Sequence, residues 1–158
     1  MARILTFAML CVAILAGQPK YTGPRPPKKN APYLVHAGNP VETEAGVAFQ
    51  IINNDLITYV ISGEKSTVRT PLASPIFVIQ SDDITDVEKL RLFRLEAQDG
   101  HRTVTFHNKS KRGAMPLRIE IKPISPSLYQ IEVVDNLSPG EYALTPDGTN
   151  EVFCFEVF

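Results

Sequence analysis

The sequence predicts an all-β domain, an antiparallel sandwich of two sheets, and three observations carry that prediction. Beyond Pro32 the dominant hydrophobic period is two. Turn-forming residues interrupt the chain at short intervals. Helical periodicity is nearly absent. Short strands at this spacing argue for a sandwich or a barrel, with about nine or ten strands expected. A two-sheet, immunoglobulin-like arrangement is the first choice, and a closed β-barrel is the alternative.

The chain opens with Ile4 to Leu15, almost unbroken hydrophobe behind Arg3. A run of about 12 residues suits the core of an export signal, whereas a membrane span needs roughly 20. Residues 1–17 therefore read as a signal peptide, with Ala16 and Gly17 small enough for the cut and no membrane span left after it. Cys11 follows Leu10 inside the run, a poor setting for lipidation. Residues 18–31 read as a Pro-rich basic linker: Lys20, Arg25, Lys28 and Lys29 give it +4, and no acid precedes Glu42. The expected location is secreted or periplasmic.

Residues 32–158 read as one β-sandwich domain, long enough for a single core. Beyond the signal only Cys154 remains, so no intramolecular disulfide can form and apolar packing must hold the fold. With Arg3 and the four arm cations set aside, 11 of the 16 bases face 17 acids, a net −6. That balance argues against nucleic acid as a partner.

Each element has its own signal. Tyr33 to Ala37 is a first strand and, following the arm, a candidate for exchange between copies. Val41 to Phe49, with Glu42, Glu44 and two alanines, has residues for a helical turn, as does Ile84 to Lys89. Val47–Ile52 and Ile57–Ser62 flank Asn53-Asn54-Asp55. Ile76 to Ile79 is dense enough for burial on both faces. Lys89–Ala97 and Arg102–His107 flank Asp99-Gly100, a strong tight-hairpin signal. In the second of these, Val104 and Phe106 alternate with Thr103, Thr105 and His107. Leu117, Ile119 and Ile121 alternate with charges, and Ser125-Pro126-Ser127 leads into Tyr129, Ile131 and Val133. Ser138-Pro139-Gly140 and Pro146-Asp147-Gly148 bracket Glu141–Thr145. Val152 to Phe158 is a dense final strand.

An ordered series of segments carries a resemblance: Pro32-Tyr-Leu-Val-His-Ala, Tyr59-Val-Ile-Ser-Gly, Arg69-Thr-Pro-Leu-Ala-Ser-Pro-Ile-Phe, Leu92-Phe-Arg-Leu-Glu, then Ser138-Pro-Gly-Glu-Tyr-Ala-Leu and Val152-Phe-Cys-Phe. Together they resemble a family of exported bacterial β-sandwich proteins with no known activity. The resemblance implies a bacterial origin and an envelope or extracellular setting. Read physically, Pro139-Gly140 makes a turn, and Tyr142 behind it is placed to bury its ring and bond its hydroxyl to nearby backbone, as in a tyrosine corner.

No catalytic constellation stands out. His36, His101 and His107 lack a second ligand at metal spacing. If Phe153, Phe155 and Val157 face the core, Cys154 points the other way as a buried structural thiol. Asp82, Asp83 and Asp86 lie close together but lack calcium-loop spacing. Lys109, Lys111 and Arg112 form the one basic cluster of the domain, the candidate contact for an anionic glycan or lipid. The expected protein is non-catalytic and needs no cofactor: an envelope-associated binding module whose partner is an envelope protein or a glycan. Alternatives are a self-associating homo-oligomeric subunit, or a hydrolase with a loop-built site.

Overall fold

The computed structural model describes residues 21–108 and 113–158. The expected signal peptide lies outside them, as do Lys109, Lys111 and Arg112. The described chain forms, in order, β1 (Pro32–His36), β2 (Asn39–Glu42), β3 (Glu44–Val47), β4 (Phe49–Asn53), β5 (Leu56–Ser62), β6 (Arg69–Thr70) and β7 (Ile76–Gln80). Helix α1 (Ile84–Glu88) follows, then β8 (Leu90–Gln98), β9 (His101–His107), β10 (Ile119–Ser125), β11 (Leu128–Val133), β12 (Gly140–Pro146) and β13 (Glu151–Val157). The two-sheet antiparallel prediction holds.

The first sheet runs β10-β11-β7-β1-β2. The second runs β3-β13-β12-β8-β9-β5-β4, with β6 added in parallel beside the end of β13. It curls into an open half-barrel rather than the closed barrel held as the alternative. Its edge strands β3 and β4 are consecutive in the chain, separated by Ala48. The segment from Val41 to Phe49, read as able to turn helically, is instead extended: β2 pairs with β1 and β3 with β13. Val41, Gly46 and Val47 are weak helix formers, and the pairing partners decide.

Two clusters make the core. One lies between the sheets: Leu34, Phe77, Ile131, Tyr142, Leu144, Phe153 and Phe155 belong to it. The other lies inside the curl, with Ala48, Ile61, Leu95, Ala143, Val152 and Cys154. Strand β13 therefore buries both faces, Phe153, Phe155 and Val157 toward one cluster and Val152 and Cys154 toward the other. This is why its sequence is dense rather than alternating.

Turn chemistry sets the hairpins. Asp99 and Gly100 both have positive φ, 53° and 78°, matching the twist of β8 and β9. Gly140 has φ 153°, and a Cβ there would stand 2.9 Å from the Arg94 guanidinium. Behind that turn the Tyr142 ring is buried and its hydroxyl donates to the Ser138 carbonyl at 2.7 Å, as the tyrosine-corner reading required. Arg94 adds a bond to the same hydroxyl at 3.1 Å. Replacing Tyr142 with phenylalanine is expected to lower stability by about 1 kcal/mol, the net worth of a part-buried hydrogen bond. Urea denaturation of the two proteins checks it; equal midpoints would show that the hydroxyl is dispensable.

The described part of the basic arm lies against the first sheet. Pro26 is buried, and the Asn30 N–H donates to the Gln80 carbonyl at 2.8 Å. Lys28 pairs with Glu42, Lys29 pairs with Asp82 at 2.7 Å, and Arg25 reaches the Ser125 hydroxyl at 2.7 Å. Strand β1, the candidate for exchange, sits between β7 and β2 of its own chain with Tyr33 and Leu34 buried.

Candidate functional site

The inner surface of the half-barrel gathers polar and aromatic groups that no short stretch of sequence brings together. Strand register places them in layers. At one end Arg102 lies opposite both Ile61 and Ala97, and Glu141 lies opposite Leu95. Tyr59 and Val104 come next, then Ile57 and Phe106. On the facing strands Phe93 pairs with Ala143 and Arg91 with Thr145. The turn from Pro146 to Asn150 rims the other end.

Arg102 is 1% exposed and spans the curl from β9 to β3, strands that are not neighbours. Its Nη2 donates to Glu44 and, at 2.9 Å, to the Ser62 carbonyl. Its Nε donates to the Gly63 carbonyl at 2.8 Å, and its Nη1 lies 3.7 Å from Glu141. Each carboxylate also accepts from the loop between β5 and β6: Glu141 from the Ser66 N–H at 3.0 Å, Glu44 from the Thr67 N–H at 2.7 Å. The group is a strut that fixes the curl and fastens a loop.

The two carboxylates are pulled in opposite directions. Burial raises Glu44, but the Arg102 and Thr67 hydrogen bonds and the Arg102 charge outweigh burial and hold it below the ordinary range. Glu141 is raised, chiefly by burial, against a smaller pull from the Ser66 N–H and Arg102. Beside them Cys154 is fully buried and its thiol is pushed up to about 12 by burial. A thiol so placed stays protonated and is no nucleophile near neutral pH.

Above the strut a cavity of about 270 Å³ opens toward the Pro146–Asn150 turn. Its walls are Tyr59, Phe93, Val104 and Phe106, above Ile61 and Leu95. Tyr59 meets Phe106 edge-on at 5.8 Å, and Phe93 meets Phe106 edge-on at 5.2 Å. At the rim Arg91 and Asp147 stand 3.8 Å apart.

Outside the curl, β4 is an edge with all five residues exposed. Phe49 is 69%, Ile51 55% and Ile52 67% exposed, and the strand holds neither charge nor proline. The two edges of the first sheet are guarded: β10 carries Glu120, Lys122 and Pro123, and β2 is four residues long and contains Pro40. In register, Phe49 and Ile51 lie on the outer side with Val60 and Thr58, and Ile52 on the inner side with Ile57.

The sequence-read candidates fall elsewhere. His36, His101 and His107 are exposed, and among the described residues no three metal-ligating side chains converge. Asp83 caps α1 by accepting from the Thr85 N–H at 2.8 Å, while Asp82 and Asp86 pair with Lys29 and Lys89. The acidic turn is thereby accounted for by structure. The strut and the cavity were missed. Their signal was present: Arg102 shares the parity of Val104 and Phe106, and Phe93 alternates with Leu92 in a strand apolar on both sides. No protein-family model, no curated protein and no solved structure matches this chain.

Proposed function

We propose that this protein is a non-catalytic binding module of the bacterial cell envelope, exported by its N-terminal apolar run, that receives an extended segment of a partner protein along β4. The observation that carries the reading is the unguarded edge. A strand edge offers a row of backbone N–H and C=O groups to an incoming strand, while alternate side chains supply selectivity. Here Phe49 and Ile51 on one side and Ile52 on the other would grip apolar side chains of the segment. Natural edges are usually blunted, so an edge of exposed apolar residues without charge or proline marks a place where pairing is wanted. The aromatic walls of the inner face and the protonated Cys154 thiol favour binding over hydrolysis.

Ile51→Lys tests this. The side chain points to solvent, so stability should change by no more than about 0.5 kcal/mol. Capture of the partner from envelope extract by the immobilised protein should fall at least about tenfold, because an ammonium must then be buried against the added strand. Undiminished capture by the folded variant would reject the edge as the binding surface. Recovery of the protein alone, with size growing as concentration rises, would replace the module by a self-associating subunit.

A further inference from the structure

We propose that the cavity of the half-barrel is a second binding site, independent of the β4 edge, for one small aromatic molecule that carries a neutral polar end such as a hydroxyl group.

Size comes first. A dry apolar cavity of about 150 Å³ takes up benzene. The present one measures about 270 Å³, room for a ring and a short side chain. Six benzene atoms in the smaller space is roughly 25 Å³ per non-hydrogen atom, so the capacity here is about ten. Wall chemistry selects the ring. Phe93 and Tyr59 both stand edge-on to Phe106, so a ligand ring can continue the same edge-to-face pattern. Ile61 and Leu95 close the inner end.

The rim selects the polar end. Arg91 is already held in place: its Nη1 donates to the Glu88 and Leu90 carbonyls at 2.8 and 2.9 Å. Its Nη2 and the Asp147 carboxylate, 3.8 Å apart, are a donor and an acceptor side by side at the mouth. A carboxylate entering there would face Asp147, and an ammonium would face Arg91. A hydroxyl can donate to Asp147 and accept from Arg91, so the paired charges match a neutral group that does both.

The full chain should be titrated with 2-phenylethanol, with methyl-resolved NMR as the readout and phenylacetate and phenethylamine as charged analogues. Saturable shifts are expected at Ile61, Leu95, Val104 and Val152, with both analogues binding at least about tenfold more weakly. Ala143→Leu directs added carbons into the cavity and is expected to abolish the shifts. Should that variant not fold, Val104→Phe fills the same space from a half-buried position. The proposal is overturned by the absence of saturable shifts, by unchanged binding in a folded, filled variant, or by a charged analogue that binds as tightly as the alcohol.

Discussion

Replacing Arg102 with alanine is expected to destabilise the domain by about 3 kcal/mol at neutral pH, in the lower part of the range for removing one partner of a buried ion pair. The lower part applies because the two carboxylates are not equally buried. Glu141 keeps 5% of its side chain in water, but Glu44 keeps 24% and is partly rehydrated once Arg102 is gone. The loss has two sources: Glu44 and Glu141 are left without their cation, and the Ser62 and Gly63 carbonyls lose their donor. Urea denaturation at several pH values separates a charge effect from a packing effect.

The sign follows from the shifts. Glu44 has a lowered pKa, so its contribution is present above its ordinary value of 4.5 and is lost as pH falls through the lowered folded value. Glu141 has a raised pKa, so its contribution is full below 4.5 and is lost as pH rises through the raised value. Without Arg102, both carboxyls are more easily protonated. The deficit of Arg102→Ala should therefore begin to shrink above pH 4.5, as Glu141 takes up its proton, and shrink further below 4.5 as Glu44 does, because the neutral carboxyls no longer need the cation. A deficit that is constant with pH would reduce Arg102 to a packing residue. Arg102→Met combined with Glu44→Gln and Glu141→Gln should recover much of the loss, since buried ionic groups cost most when half of a set is removed.

Local chemistry explains what was legible from sequence, and distance explains what was not. The Asp99-Gly100 hairpin, the Asp83-capped helix and the Tyr142 corner each rest on residues within a few positions of one another. The double burial of β13 was legible because Phe153-Cys-Phe155 leaves no polar face. The curl was not, because it depends on Arg102 meeting Glu44 across 58 positions and on β8 pairing with β12. Parity alone puts Arg102 on the same face as Val104 and Phe106. It could not say that two carboxylates from β3 and β12 would be waiting there. The Val41–Phe49 segment misleads for the converse reason: two glutamates and two alanines read locally as helical, while Thr43, whose hydroxyl donates to the Pro32 carbonyl at 2.7 Å, is the single residue that links β2 of one sheet to β3 of the other.

Phe155→Ala is expected to be the most damaging single truncation, at about 3–5 kcal/mol. Phe155 is fully buried and joins the two sheets: its ring lies 4.9 Å from Phe77 of β7 and stacks on Tyr142 of β12 at 5.6 Å. Truncation removes apolar area, breaks both aromatic pairs and leaves a void between sheets whose strands cannot close it without breaking register. Phe93→Ala is the informative comparison. It removes the same atoms from a half-buried ring that already borders the 270 Å³ cavity, so it creates little new void and loses one edge-on pair. Its expected loss is about half as large, because the transfer term remains and the cavity term largely drops out. Chemical denaturation of both variants decides the point. Equal losses would mean that the half-barrel interior is packed as tightly as the space between the sheets, and would count against an open cavity there. A clear difference would show one fold with two interiors, one filled to hold the sheets together and one left open beneath the aromatic walls.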